Sequence, residues 1–329
     1  MTGIPVLVNL ARPRGEVDAV EVARAVRRAS LSGVGLADSP RLYADPLIET
    51  TRVLAADPDV LAGPCVLSLP LIGPIRAAST LGTLADSFPG RLTAVVGRGE
   101  SSLANEGIRP PGLDAYAGML GALRQHVSAR SPSMTLLGAA SGPRTTEVTA
   151  RELGGVLLDV GVDGAGIAEA IARARSANPR VVVWAFVRMA IADDAAEADA
   201  AAAPLLGSCA ARMAAAPDWF GVDADTAESL AALAKLHDYR RHGTARALDP
   251  AELSGSAGLG PAAQLVRERF VLAGSEAVLE ERFRALAATG VAGLVLAGAL
   301  PGVVTRLPEL GRAARVIVGS RDTSGVTHP

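Results

Sequence analysis

The residues of this sequence best suited to chemistry lie in a six-residue run, GRGESS, that begins at Gly97. Gly97 and Gly99 lack side chains, which allows a ligand to approach the backbone closely. The hydroxyls of Ser101 and Ser102 can bind a phosphate or the polar rim of a cofactor, and Glu100 can act as an acid, a base or a hydrogen-bond acceptor. An ordinary turn between a strand and a helix has the same composition, so both interpretations stay open. The run lacks the third glycine of the GxGxxG fingerprint.

A second run, Ser141–Arg144 (SGPR), precedes a predicted helix. The free backbone N–H groups and the dipole at a helix N-terminus favour an anion there. Plain capping, with Ser141 as the N-cap and Pro143 at the first helical position, explains the same residues equally well.

The remaining polar residue types give weaker signals. The sequence contains four histidines, His126, His237, His242 and His328. None follows a predicted strand, so we expect most of them at the surface and predict neither a catalytic triad nor a metal site. The two cysteines, Cys65 and Cys209, are far apart and indicate no disulfide framework or zinc spacing.

The elements that would position these residues are short apolar runs alternating with stretches of helical periodicity. The predicted strands are Ile4–Leu10, Val34–Ala37, one within Val60–Leu69, Leu92–Val96, Met134–Leu137, Val156–Leu158, Arg180–Val187 and Leu294–Leu296. Eight strands with intervening helices predict an α/β fold, a (β/α)8 TIM barrel, with an open doubly wound sheet as the structural alternative.

Catalytic groups of such a barrel follow its strands. The residues at those positions are Asn9, Arg12, Asp38, Ser39, Ser68, the run from Gly97 to Ser102, Ser141, Gly142, Gly161, Asp163 and Arg188. Because loops are polar in any case, the position alone favours each residue only modestly.

The stretch Asp193–Arg282 is longer than one crossover between strands requires. We expect helices within Asp193–Met213, Asp225–Tyr239 and Leu259–Phe270, inserted between the seventh strand and the helix before the eighth. Such an insertion forms either a lid over the active site or a packing embellishment. We therefore predict one barrel domain over residues 1–319 with an insertion at about 193–282, and a disordered tail at 320–329.

Composition excludes several classes of function. The net charge is -2 and aromatic residues are only 3% of the 329 residues, which argues against a nucleic-acid binder. No uncharged apolar run reaches the length of a membrane span, and the first residues do not resemble a signal peptide. We expect a cytoplasmic protein with a small-molecule partner.

Several runs, in this order, resemble the luciferase-like monooxygenase superfamily, and the resemblance covers nearly the whole chain. Val34–Pro40 (VGLADSP), Gly63–Pro70 (GPCVLSLP) and Ser87–Arg91 (SFPGR) resemble the superfamily as a whole. Gly97–Leu103, Ala139–Arg144 and Leu158–Gly161 resemble its branch that uses the deazaflavin coenzyme F420, the methylenetetrahydromethanopterin reductase-like enzymes. The resemblance is weakest in the insertion.

The resemblance implies a cofactor ring against the third and fourth strands and a non-prolyl cis peptide at Cys65–Val66. In our hypothesis the catalytic residues are Glu100 and Asp38: Glu100, helped by Asp38, manages a proton or orients the substrate. The resemblance implies cofactor contacts at Ser39, Cys65, Val66, Ser68, Gly97, Gly99, Ser101 and Ser102, and phosphate contacts at Ser141, Gly142 and Gly161.

One departure concerns the residue after Asp38, where several members of the branch carry a histidine and this chain has Ser39. Our first hypothesis is an F420-dependent oxidoreductase that transfers a hydride between C5 of the deazaflavin and a small organic substrate. The second is an FMN-dependent monooxygenase, and the third is a non-catalytic barrel that serves as a binding subunit. A homodimer is a further expectation from the resemblance.

Overall fold

The computed structural model describes residues 3–12, 17–129, 133–255 and 258–318. The tail predicted to be disordered, 320–329, lies outside these residues. The strands are β1 Val6–Leu10, β2 Gly33–Leu36, β3 Leu61–Pro64, β4 Leu67–Ser68, β5 Leu92–Gly97, β6 Met134–Ala140, β7 Gly155–Leu158, β8 Val182–Ile191, β9 Val271–Gly274 and β10 Leu294–Ala297.

Helices follow the strands along the described chain. They are α1 Ala19–Arg28, α2 Pro46–Ala56, α3 Leu69–Ile72, α4 Pro74–Ser87, α5 Glu100–Asn105, α6 Leu113–Ser128, α7 Pro143–Leu153, α8 Gly164–Ala177, α9 Ala195–Ala215, α10 Pro217–Phe220, α11 Ala224–Lys235, α12 Pro250–Gly255, α13 Gly260–Phe270, α14 Glu276–Ala288, α15 Gly302–Thr305 and α16 Leu307–Ala314, with a 3-10 helix at Tyr239–Arg241. None of these helices has the length and apolar character needed to cross a bilayer.

The parallel strands close into a barrel. β10 pairs with β1 on one side and with β8 on the other, and Leu294 lies opposite both Val6 and Ala185. The order around the ring is β10, β1, β2, β3 with β4, β5, β6, β7 and β8. The predicted (β/α)8 barrel is therefore confirmed, and the open sheet is excluded.

Two short strands, β3 and β4, together occupy the third strand position of the barrel. β3 pairs with β2, and β4 pairs with β5. The peptide bond between Cys65 and Val66, which separates β3 from β4, is cis, as the resemblance predicts. A second cis bond precedes Pro301.

Two apolar layers hold the barrel together. The outer layer lies between strands and helices. In α1, for example, Val22, Ala23 and Val26 are buried, and the Asp18 side chain accepts hydrogen bonds from the first-turn N–H groups. The inner layer fills the barrel with Leu7, Cys65, Val95, Leu137, Leu157, Trp184 and Val295. Above it, Val66, Ala139 and Phe186 are only partly buried, so the apolar filling ends below the mouth.

The segment between β8 and β10 forms a second layer over one side of the mouth. Its helices α9, α11 and α13 share an apolar core that includes Cys209, Leu230 and Val266. β8 continues past the predicted end at Val187 to Ile191, because its last four residues pair with β9. The strand β9 was not predicted from the sequence. The helix before β10 spans Glu276–Ala288, so the predicted boundary at 282 falls inside it.

Candidate active site

The carboxyl ends of the barrel strands open into a cavity of about 590 Å³. Every residue predicted to be catalytic or to bind the cofactor, except Ser68 and Gly161, lines this cavity. Of the other strand-end candidates, Arg12 pairs with Glu49 and Asp163 caps α8, and neither lines it. The lining residues from the prediction are Asp38, Ser39, Cys65, Val66, Gly97, Gly99, Glu100, Ser101, Ser102, Ser141 and Gly142. They come from four successive strand ends, which explains why runs separated in sequence meet in one place.

Ser68 and Gly161, also predicted to contact the cofactor, are not among the residues that line this cavity. The Ser68 side chain is fully buried beneath Gly99, and a Cβ on Gly99 would lie 2.0 Å from Ser68 Oγ. Gly161 has a φ of 99°, and a Cβ there would lie 2.4 Å from the carbonyl oxygen of Arg269. Close packing, rather than ligand contact, accounts for both residues.

Asp38 is the partly buried acid of the cavity wall. The Ser68 N–H donates to Asp38 Oδ2 at 2.8 Å, and Ser102 Oγ donates to the Asp38 carbonyl oxygen at 2.5 Å. Burial raises the pKa of the Asp38 carboxyl, and the hydrogen bond from Ser68 opposes part of this rise. Next to it, Ser39 Oγ accepts a hydrogen bond of 3.3 Å from Asn105 Nδ2.

Glu100 occupies a different environment at the mouth. Its side chain is 66% exposed, and Oε1 lies 3.6 Å from Nη1 of Arg98. Gly99, in the left-handed conformation with a φ of 69°, turns the chain from β5 into α5, and Glu100 begins that helix. Glu100 is therefore a solvated group at the rim, in contrast to Asp38.

The start of α7 contributes backbone donors to the cavity. Ser141, Gly142 and Thr145 line it. The N-cap is Gly142 instead of the expected Ser141, and no side chain caps this helix in the described structure. A Cβ on Gly142 would meet nothing within 4 Å, so the space beside the N-cap residue is open. Uncapped N–H groups beside open space favour the anion-binding interpretation.

Three charged residues form a largely buried cluster at the ends of β7 and β8. Both nitrogens of the Arg188 fork bond to the Asp159 carboxylate, one of them at 3.0 Å, and Arg212 Nε pairs with the same carboxylate. Burial alone would raise the pKa of Asp159, but the two guanidinium groups lower it to about 2. Arg188 also lies over the ring of Phe186 at 5.1 Å. Arg188 was predicted from its position after a strand, whereas nothing in the sequence singled out Arg212.

Residues 237–244, here called the roof loop, cover this cluster. His237 Nε2 lies 2.9 Å from His242 Nδ1, and the ring of Tyr239 stacks on His242. His242 and Tyr239 line the cavity. Burial lowers the pKa of His237 to about 4 and that of His242 to about 3, so both are neutral at pH 7. The expectation that histidines lie at the surface is wrong for these two.

Solved structures of known enzymes match this architecture. The coenzyme F420-dependent tetrahydromethanopterin reductase from Methanopyrus kandleri matches with a TM-score of 0.68 and 14% identity, over 94% of this chain and 98% of that chain. An F420-dependent secondary alcohol dehydrogenase, in complex with an F420-acetone adduct, matches with a TM-score of 0.66 and 14% identity, over 97% and 100%. A riboflavin lyase, with modified FMN and riboflavin, matches with a TM-score of 0.62 and 17% identity, over 97% and 93%.

The chain therefore shares the barrel fold of these enzymes. No protein-family model matches it, and no curated protein matches it in sequence. Within this barrel, the cis peptide segment is held from β1. With its amide oriented to satisfy its neighbours, Asn9 donates to the carbonyl oxygen of Cys65 at 2.8 Å and to that of Gly35 at 3.3 Å.

Proposed function

We propose that this protein is an oxidoreductase that uses coenzyme F420 to transfer a hydride to or from a small organic substrate. The observation that carries the proposal is the cavity at the carboxyl ends of the strands, which is large and has two different halves. The half at β4, β5 and β6 is lined by Val66, Gly97 and Ala139. The other half, at β7, β8 and the roof loop, holds the charged cluster.

The residues of the first half fit a tricyclic ring with a phosphate attached. A volume of about 590 Å³ lies within the range of cofactor and ligand sites. Small side chains at Gly97, Ala139 and Ala140 leave room for a flat ring above the inner core. The uncapped N–H groups at the start of α7, together with Ser141 and Thr145, suit a phosphate.

When bound, F420 supplies a ring carbon, C5, that accepts or donates a hydride. The protein supplies the position of the substrate and the path of the proton. We assign the proton transfer to Asp38. If the carbon that bears a substrate hydroxyl gives up a hydride, the proton of that hydroxyl would pass to Asp38 Oδ1. Ser68 holds the other carboxyl oxygen through its N–H. Glu100 keeps a role at the rim, where it faces the entering substrate.

The alternative is an FMN-dependent monooxygenase. The structural match to a riboflavin lyase with modified FMN supports a flavin in the same niche. Oxygen chemistry of that kind needs a dry pocket. Here Asp159, Arg188 and Arg212 line the cavity, and about a third of the Arg212 side chain is exposed. This polar surface favours hydride transfer over oxygen activation.

Titration of the purified chain with F420 and with FMN tests the proposal. We expect saturable binding of F420, and binding weakened at least tenfold in Ala139→Leu, because the added carbons fill the ring niche. Ala129→Leu, at an exposed position after α6, is the matched control and should bind like the unmodified protein. Preferential binding of FMN would favour the monooxygenase. Binding of neither would favour the non-catalytic barrel.

A further inference from the structure

The half of the cavity beneath the roof loop carries a net positive charge. Arg188 and Arg212 bring two positive charges, and Asp159 supplies one negative charge. All three side chains line the cavity. A buried cluster with one uncompensated positive charge is costly unless an anion or water completes it.

The other titratable groups facing the cluster do not cancel this charge. Burial keeps His237 and His242 neutral by lowering their pKa values, and it raises the pKa values of Tyr239 and Cys209, which stay protonated. Glu100 lies near enough to Tyr239 to contribute to the rise of its pKa, but its side chain is exposed beside Arg98, so solvent screens its charge. The excess charge therefore stays with the arginines.

Arg212 is the member of the cluster that can reach a ligand. Its Nε is held by Asp159, and its Nη1 donates to the carbonyl oxygen of Ser208 at 2.8 Å. Nη2 has no acceptor within the described part of the chain. The same holds for Nε2 of His242 and the hydroxyl of Tyr239, and both of these residues line the cavity with Arg212. When His237 Nε2 donates to His242 Nδ1, the neutral His242 carries its proton on Nε2, and three donors then stand around one space.

We propose that Arg212, with His242 and Tyr239, binds the carboxylate of the substrate, so that the substrate is a small organic acid. The inference rests on the proposed function, because it takes the other half of the cavity for the coenzyme. One excess positive charge matches a carboxylate better than a phosphate, which carries about -1.5 to -2 at pH 7. The start of α7, after β6, already provides separate donors for a phosphate of the coenzyme.

Asp159 and Arg188 act as positioning residues in this arrangement. The Asp159 carboxylate fixes the Arg212 guanidinium through Nε, and the two-point contact with Arg188 fixes the carboxylate. The substrate carboxylate would then enter a prearranged site, which reduces the entropy lost on binding.

Benzoate, benzamide and inorganic phosphate serve as probes for ligand-detected NMR on the full chain. We expect saturable benzoate binding that is at least about tenfold tighter than binding of benzamide or phosphate. Arg212→Gln should weaken benzoate binding by about tenfold or more, since a charged hydrogen bond is lost. Arg240→Gln is the matched control: it removes one positive charge from the same loop at a side chain that is 83% exposed, and it should change binding less than twofold.

A second measurement does not depend on the stability of Arg212→Gln. Benzoate should shift the ring signals of His242, assigned by their loss in His242→Gln, and leave those of the exposed His126 unmoved. Arg212→Lys should retain part of the affinity through its charge. Equal binding of benzoate and benzamide, tighter binding of phosphate, or no response at His242 would overturn the proposal.

Two outcomes distinguish a wrong carboxylate subsite from a wrong redox function. If neither F420 nor FMN binds while benzoate binding depends on Arg212, the redox function is wrong and the carboxylate subsite stands. If Arg212→Gln weakens coenzyme binding and leaves benzoate binding unchanged, Arg212 contacts the coenzyme and the subsite is overturned.

Discussion

Asp38 and Glu100 are two carboxyl groups of one cavity with opposite surroundings. Asp38 is partly buried and accepts a hydrogen bond from the Ser68 N–H, while the Glu100 side chain is exposed to solvent beside Arg98. Burial raises the pKa of Asp38, so this group holds its proton to higher pH than an ordinary aspartate. A carboxyl group with a raised pKa, held in place at the cavity wall, suits acid–base chemistry, which is why Asp38 is the stronger assignment.

The partly buried Asp38 carboxyl should make the stability of the protein depend on pH. Its pKa is raised in the folded state, so this group keeps its proton to a higher pH in the folded protein than in the unfolded chain. The unfolding free energy of the unmodified protein should therefore fall relative to that of Asp38→Asn as the pH rises from 4 to 7. Urea denaturation across this range measures the difference.

The control for this prediction is Asp114→Asn, which changes an exposed carboxyl at the start of α6. A pH dependence of Asp38→Asn identical to that of the unmodified protein would contradict the assignment. Turnover of Asp38→Asn with bound coenzyme should also fall, whereas coenzyme affinity should change little.

At the scale of elements, the charged cluster joins two barrel strands to the segment between β8 and β10 that covers them, the cover. Asp159 directly follows β7, Arg188 lies in β8, and Arg212 lies in α9. The roof loop is tied to the opposite side, where Tyr43 Oη donates to the carbonyl oxygen of His242 at 2.7 Å. Gly243, with a φ of 83°, packs against Ala11 so closely that a Cβ would lie 2.3 Å from it. The cover is thus attached to the barrel across the cavity.

Asp159→Asn should destabilise the protein by about 3–5 kcal/mol, because the buried Arg188 and the partly exposed Arg212 lose their counter-charge. The pKa of Asp159 is lowered to about 2, so its contribution is complete above pH 4 and is lost as the pH falls toward 2. Urea denaturation at pH 7 and pH 3 should show a smaller difference between the two proteins at pH 3.

The matched control is Glu147→Gln, which breaks the half-exposed pair of Glu147 with Arg173. Pairs of this kind contribute at most about 1 kcal/mol. A loss in Asp159→Asn no larger than that in Glu147→Gln would show that the cluster does not hold the cover on the barrel.

On the scale of the whole molecule, the cavity is built from both layers, since strand ends and α9 contribute to its wall. A ligand that fills it should stabilise barrel and cover together. At 100 times its dissociation constant, F420 should add about 2.7 kcal/mol to the unfolding free energy. For a chain of 329 residues we expect the melting temperature to rise by roughly 4 °C.

Differential scanning calorimetry with and without F420 measures this rise. Ala139→Leu should lose most of it, and Ala129→Leu should keep it. A separate, earlier transition that F420 does not move would indicate that the cover unfolds independently of the coenzyme site.

The barrel and one half of its cavity could be predicted from the amino-acid sequence. Eight apolar runs at regular intervals have few other closed arrangements, and the predicted site residues from Asp38 to Gly142 directly follow strands, so barrel closure alone brings them together. The position of Ser68 and Gly161 outside the cavity lining depended on packing against Gly99 and Arg269, which strand order does not specify.

The other half of the cavity could not be predicted from the sequence, because its residues come together only through tertiary packing. Arg212, His237 and His242 lie in a segment whose helices show ordinary amphipathic patterns, and a charged residue on such a helix usually faces water. Their burial depends on how α9 and the roof loop dock over β7 and β8. The contacts that fix this docking join residues far apart in the chain, so no local pattern encodes the cluster of Asp159, Arg188 and Arg212.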